Sequence, residues 1–340
     1  MNKNNILIFV TAGYWQIKGI KEAKKLGLKT LGIDENSKAD GLKICDFKIV
    51  EDINNDNLIK NKIENLKLSP IGCISYCSEA GLKLSAFLID EYKLYGTDKK
   101  TTKLLTNKYL QRKKLSPYIS QPKFYSSKSI EKIKKYILKS NKPLIIKPVD
   151  GSGSRGVIKI NKIKKTIDYM LNKCLTFSNE KQIIVEEFIK GKELTVEMFF
   201  INGNPIYLAI TSKKKLANTK NTVAYELATT ELLKDDEQKI FKFVNSAYKK
   251  IGYKNGPAHA EIIKQHQKYF IVELAGRGAG FDVFDKFLPK ITNINLPKLL
   301  ILQSINKIDD LKYKLERKKG IIRYYPSKKG KIKRIMFNYN

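Results

Sequence analysis

The residues that could do chemistry fall in four short stretches. The first is Lys147-Pro148-Val149-Asp150-Gly151-Ser152-Gly153-Ser154-Arg155-Gly156, directly after the apolar run Leu144-Ile145-Ile146. Glycines let successive backbone N–H groups approach an anion closely, which is how such loops hold phosphate. Lys147 adds a point charge for the same phosphates. The spacing is neither that of a Gly-Lys-Ser/Thr P-loop nor that of Gly-x-Gly-x-x-Gly. The other stretches follow in order: Val185-Glu186-Glu187-Phe188-Ile189-Lys190-Gly191-Lys192-Glu193, then Ala260-Glu261-Ile262, then Val272-Glu273-Leu274-Ala275-Gly276-Arg277.

Glu261 and Glu273 are equidistant from Gln267. A hairpin turn centred there sets the two carboxylates directly opposite each other. Opposed side chains lie about 5 Å apart, and like charges there are destabilising without a cation. Two carboxylates so presented suit Mg²⁺, which takes a few carboxylate oxygens and completes its shell from phosphates. The same symmetry pairs His259 with Ala275.

The elements that must position these groups are legible from periodicity. Over residues 1–105, strand signals at 6–10, 30–34, 47–50 and 71–76 alternate with helical spacing at 17–26 and 58–66, which predicts a parallel sheet. From residue 106 the pattern changes. A basic helix is expected over 106–115, a helix over 130–138, and strands over 144–147, 183–188, 194–200 and 205–210. A long helix over 237–251 precedes the acidic hairpin of 259–263 and 269–274. A helix over 296–305 and a basic strand–turn–strand over 320–337 complete the chain. The fold class is therefore α/β, with an α+β character after residue 105. The divisions are 1–105, 106–190, 191–305 and a short β segment, 306–340.

Composition bounds the rest. The chain has 340 residues, 42% apolar, with a formal charge of +33 from 66 basic and 33 acidic side chains. Its lysines are spread along the whole length, whereas a nucleic-acid footprint is clustered. That argues against a nucleic-acid partner. No run nears the roughly 18 apolar residues of a membrane span, and the apolar start at Ile6 lacks a small-residue cleavage site, so a cytoplasmic location is expected. Cys45, Cys73, Cys77 and Cys174 have no histidine or cysteine set around them to complete a zinc site, and free thiols are expected.

A basic helix, a lysine–glycine loop, Glu-Glu-Phe-Ile, a glutamate hairpin and Glu-x-x-x-Arg, in that order, resemble the ATP-grasp enzymes. The resemblance is closest to the carboxylate–amine ligases related to carbamoyl-phosphate synthase and biotin carboxylase. It implies ATP with Mg²⁺ or Mn²⁺ and small carboxylate and amine substrates, with a homodimer as a family expectation. It also implies roles. Lys108 and Lys147 would contact the ATP phosphates, with Lys213 a further candidate, and Gly151, Ser152, Gly153, Ser154, Arg155 and Gly156 would close over them. Glu186, Glu187, Phe188 and Ile189 would form the strand whose backbone reads adenine, and Glu193 would bind the ribose. Glu261 and Glu273 would hold the metal, and Arg277 would stabilise the transferring phosphoryl group and the bound carboxylate. Where many members have Asn as a further metal ligand, this chain has Ala275, and His259 opposite it is offered as partial compensation. Residues 13–16, Glu79 and residues 219–230 are the expected substrate lining. Two other functions stay open at this point: a carboxylase-type enzyme that phosphorylates bicarbonate, and a basic nucleic-acid binder on a degenerate scaffold.

Overall fold

The computed structural model describes residues 4–161, 166–216, 224–308, 314–325, 330 and 334. The first sheet contains β1 (Ile6–Val10), β2 (Lys29–Asp34), β3 (Phe47–Val50) and β4 (Pro70–Ile74), all parallel, in the order β3-β2-β1-β4. β1 is an unbroken apolar run because helices cover both faces of the sheet, and every one of its side chains is buried. The helices between these strands are α1 (Ile17–Lys25), α2 (Asp40–Ile44) and α3 (Asp56–Asn65), and α4 (Gly81–Glu91) follows β4.

The basic helix expected over 106–115 is present from Lys108 to Leu115, and a helix the sequence does not predict precedes it. α5 (Lys99–Thr106) ends and α6 (Lys108–Leu115) begins at Asn107, whose backbone is extended. The Asn107 side chain accepts a hydrogen bond from Leu110 N–H at 3.0 Å, an N-cap. Lys108 is therefore the first residue of a new helix and not part of a continuous one.

The second sheet is antiparallel, order β5-β8-β6-β7, from β5 (Phe124–Ser127), β6 (Leu144–Pro148), β7 (Ile158–Ile160) and β8 (Ile183–Glu187). α7 (Ile130–Leu138) and α8 (Ile167–Leu175) bury Ile133, Ile137 and Leu171 against it. The third sheet comprises β9 (Lys192–Ile201), β10 (Asn204–Lys215), β11 (Ala224–Thr229), β12 (Gly256–Gln265), β13 (Lys268–Ala275) and β14 (Ile321–Arg323), in the order β13-β12-β9-β10-β11-β14. α9 (Lys234–Ile251) packs Ile240, Val244 and Tyr248 against it, and the left-handed Gly252 ends the helix. Of the strand–turn–strand expected over 320–337, β14 pairs with β11 at the sheet edge, and most of the remainder lies outside the described residues.

α10 (Leu288–Thr292) and α11 (Leu296–Ser304) join the first sheet to the third. One core contains Leu7, Phe9 and Ile20 from the first unit, Phe199 and Leu208 from the third sheet, and Leu296, Leu299 and Ile301 from α11. A shared close-packed core transmits position with little slack, so groups at the ends of β1 and β4 are held at fixed places relative to the β13 end. The α/β class, with a parallel sheet followed by antiparallel ones, is as the sequence predicts.

Candidate active site

β12 and β13 set the two glutamates opposite each other: Glu261 pairs with Glu273 and His259 with Ala275. The turn is not centred on Gln267. Gln265 pairs with Lys268, so the loop is the two residues His266 and Gln267, with His266 in the left-handed region at φ 52°. Ile262 pairs with Ile271, which leaves Val272 as an extra residue, a bulge, next to Glu273. The two single-residue offsets cancel at the glutamates.

Each glutamate carries a lysine. Lys108 Nζ lies 2.9 Å from Glu273, and Lys213 pairs with Glu261. Lys213 also lies 3.7 Å from Glu193, which takes Lys215 at 2.5 Å. Burial pushes the Glu261 carboxyl up, but Lys213 and then His259 outweigh it and hold it well below the usual carboxylate range. Burial raises Glu273 too, and Lys108 brings it down against the repulsion of Glu261. The lysines respond in kind: burial lowers both, and the facing glutamates raise them further. Two ionised, opposed, hard-oxygen donors whose counter-charges ride on flexible side chains suit a divalent magnesium ion. Among the described residues no cluster of three or more histidine, cysteine or acidic side chains forms a metal cage. The protein can thus supply two carboxylates, and phosphate and water would complete the shell.

A second charged group lies at the start of the glycine loop. Lys147 Nζ is 2.6 Å from Glu186, and Arg112 Nε is 2.9 Å from the other Glu186 oxygen. All three side chains are buried, Arg112 at 1% and Glu186 at 2% exposure. Burial alone would raise Glu186, but Arg112 and Lys147 hold its carboxyl at about 2. Arg112 Nη2 donates to the bulge carbonyl of Val272 at 2.6 Å, whereas Nη1 has no partner among the described residues. Glu186 was expected to serve through its backbone. Its side chain is instead the shared anion of two buried cations. Glu187 points the other way, as alternation along a strand requires, and pairs with the exposed Lys142 at 2.5 Å. It does not join the cluster.

The glycine loop spans the gap between β6 and β7. Lys108 Nζ donates to Gly151 O at 2.6 Å, so one lysine touches both the loop and Glu273. Gly153, Ser154 and Gly156 have positive φ, at 63°, 57° and 73°. Arg155 folds back on Ser152 and is exposed. Phe188 and Ile189 are half-buried just past β8, with Lys159 Nζ 3.4 Å above the Phe188 ring. A Cβ on Gly156 would meet the Phe177 ring at 3.0 Å in a backbone conformation that L-residues avoid. Gly156→Ala is expected to weaken nucleotide binding about tenfold with little change in melting temperature, read by calorimetric titration of ADP and a thermal melt; an unchanged affinity would remove the loop from the site.

Arg277 leaves the end of β13 and meets the first unit. Its Nε donates to Glu79 at 2.9 Å, and Glu79 and Glu273 raise its pKa against the opposing effect of burial. His259, offered as partial compensation at the metal, is held most closely by a different glutamate. Its Nδ1 lies 2.6 Å from the buried Glu197. Burial opposes its charge, but Glu197 outweighs that and pushes the ring up to about 9. Its Nε2 lies 3.9 Å from Glu261, so both ring nitrogens face carboxylates. Residues 219–223 of the expected lining lie outside the described residues.

Sequence reasoning missed Arg112, Gln111 and Glu197. Gln111 clamps Leu274, donating to its carbonyl at 2.9 Å and accepting from its N–H at 3.0 Å. A signal existed for Arg112, which follows Lys108 by four positions and shares its helix face. Glu197 is a lone acid within the apolar strand Val196-Glu197-Met198-Phe199, a placement that needs a partner.

Residues 140–285 match the family model of the ATP-grasp domain. The chain carries an ATP-grasp domain. It is 29% identical over 192 residues to D-alanine–D-alanine ligase of Fervidobacterium nodosum, covering 53% of this chain and 60% of that ligase's own length. In fold it is similar to L-amino acid ligase from Bacillus licheniformis, with a TM-score of 0.75 and 21% identity over 90% of this chain and 75% of that one. Phosphoribosylglycinamide synthetase from Anaerococcus prevotii aligns with a TM-score of 0.73 and 21% identity, over 94% and 80%. The ATP-grasp match contains the glycine loop, both glutamates and Arg277, whereas Lys108, Arg112 and Glu79 lie before it. No described helix is long and apolar enough to cross a membrane.

Proposed function

We propose that this protein is an ATP-dependent ligase that activates a small carboxylate as an acyl phosphate and joins it to an amine. The observation that carries the reading is the opposed pair Glu261 and Glu273, each neutralised by a lysine. A carboxylate is a poor acyl donor because oxide is its leaving group. Attack of a carboxylate oxygen on the γ-phosphorus of ATP, with loss of ADP, replaces oxide by phosphate. An amine nitrogen then attacks the carbonyl carbon, loses a proton and expels phosphate.

The chain's part is positioning and charge neutralisation. Glu261 and Glu273 would hold Mg²⁺, which when bound neutralises charge on the β- and γ-phosphates. Lys108 and Lys213 guard those carboxylates and would turn to phosphate oxygens. Lys147 would leave Glu186 for the phosphates, with Arg112 keeping Glu186 balanced. The loop of Gly151, Ser152, Gly153, Ser154, Arg155 and Gly156 would exclude water from the acyl phosphate. Phe188 and Ile189 would flank adenine, and Glu193 would turn from Lys215 to the ribose. Arg277, beside Glu79, would hold the acid and the transferring group. In this reading residues 1–105 are the substrate-facing unit, residues 106–190 and 191–305 clasp the nucleotide, and within the segment 306–340 Ile321–Arg323 extends the third sheet.

Calorimetric titration of ADP and a non-hydrolysable ATP analogue, with and without magnesium, tests the reading. Binding that requires magnesium is the expected result. Absence of nucleotide binding by folded protein would overturn it.

A further inference from the structure

The first sheet reverses its strand order between β1 and β4. In open parallel sheets the crevice beyond the strand ends at such a reversal is where ligands bind. Here the loop after β1 carries Tyr14 and Trp15, and the loop after β4 carries Tyr76, Cys77 and Glu79. The chain after Arg277 forms the opposite wall: Gly278 N–H donates to Tyr76 O at 3.2 Å, and Arg277 donates to Glu79. Four residues past Arg277, Phe281 faces Trp15 with ring centroids 5.3 Å apart. Tyr14 stands edge-on to Trp15 at 5.2 Å, and Tyr324 edge-on to Phe281 at 6.0 Å.

These rings are not core. Phe281 is 66% exposed, Tyr14 56% and Trp15 38%. The backbone is bent to hold them there. Phe281 and Asp282 are successive non-glycine residues at φ 55° and 60°, a strained conformation for bulky side chains. Two contacts hold it: Tyr324 O–H donates to Phe281 O at 2.6 Å, and Lys286 pairs with Asp282 at 2.9 Å. Lys286 meets the Asp282 carboxylate, and Lys18 donates to the backbone carbonyl of Asp285. The rings offer flat apolar contact, and Arg277 lies four residues before Phe281 on the same segment.

We propose that this mouth is a specificity site for an aromatic acid, its carboxylate toward Arg277 and its ring laid against the exposed faces of Trp15 and Phe281. The assignment rests on the ligase reading and names its acid substrate class. Phe281, Trp15 and Tyr14 are specificity residues and take no part in phosphoryl transfer.

Trp15 is the single tryptophan of the chain, so its fluorescence reports on this mouth alone. The full chain with magnesium and ADP is titrated with 3-phenylpropionate, propionate and phenethylamine. A saturable emission change is expected with 3-phenylpropionate, at concentrations at least about tenfold below those of the other two, since propionate lacks the phenyl ring whose burial contributes that much or more and phenethylamine presents an ammonium, not a carboxylate, to Arg277. Phe281→Leu, at an exposed position where folding is not at risk, should weaken the response about tenfold while leaving ADP binding unchanged. No response to 3-phenylpropionate, an equal response to phenethylamine, or an unaltered response in Phe281→Leu would overturn the proposal. Calorimetry of ADP on the same samples separates the two readings: nucleotide binding without aromatic-acid binding removes only the specificity site, and loss of nucleotide binding removes the ligase assignment.

Discussion

Glu273→Gln is expected to lower ADP formation by about 10²–10³-fold, the usual effect of deleting one preorganised electrostatic group from a transition state. The substitution keeps the size and shape of the side chain. It removes one of two opposed charges and the partner of Lys108, 2.9 Å away. Little stability should be lost. Glu273 is a quarter exposed, so its ion pair is partly screened, and its removal also relieves repulsion with Glu261. The checks are a coupled assay for ADP and a thermal melt on the same preparation. An unfolded variant would make Glu273 a structural residue. A folded variant with unchanged ADP formation would remove it from the chemistry. Glu261→Gln should behave alike in rate. Its stability loss should be larger, because Lys213 and His259 both lean on that carboxylate.

The glutamate pair was legible because hairpin pairing is arithmetic, and it was right for a reason the arithmetic did not contain. The turn lies half a residue before its assumed centre, and the Val272 bulge restores the register. The same bulge frees the Val272 carbonyl for Arg112, a contact no periodicity encodes. β1 was legible because burial on both faces leaves an unbroken apolar run. The break at Asn107 was not. The sequence alone places one helix over 106–115 and none over 99–105, and the cap geometry at Asn107 separates α5 from α6. Arg112 was hidden by composition: among 66 basic residues, one more on a basic helix reads as solvated surface. Burial, which distinguishes it, is set by β8 and β13, about 70 and 160 residues further on. The aromatic mouth is likewise tertiary, since Trp15 and Phe281 meet only because α11 and the shared core fix the first sheet against the third.

The largest stability change should come from the triad of Arg112, Glu186 and Lys147. Arg112→Met leaves Glu186 with Lys147 alone, and Glu186→Gln leaves two buried cations without their anion. Breaking a buried ion pair from one side costs about 3–5 kcal/mol, so Glu186→Gln should show the larger fall in urea midpoint. The pH dependence follows from the direction of the shift. The Glu186 carboxyl lies near 4.5 when unfolded and is held at about 2 in the folded chain, so folding favours its ionised form. The stabilisation, about 3 kcal/mol for such a shift, is complete above pH 4.5 and is lost as pH falls toward 2. Urea unfolding between pH 7 and 3 should therefore show a stability slope in the wild type that is shallower in Glu186→Gln. Equal slopes would mean that other carboxylates govern the acid limb. The functional consequence separates the two substitutions further. In Arg112→Met, Lys147 is the only cation left to Glu186, and moving it to a phosphate would strand a buried carboxylate. Nucleotide affinity should then fall more than tenfold in protein that is still folded at neutral pH. Arg112→Lys, which keeps the charge but loses the fork that reaches both Glu186 and Val272 O, should fall between that variant and the wild type. A graded loss of affinity that follows the charge available to Glu186, and not the melting temperature, would show that Arg112 acts by freeing Lys147.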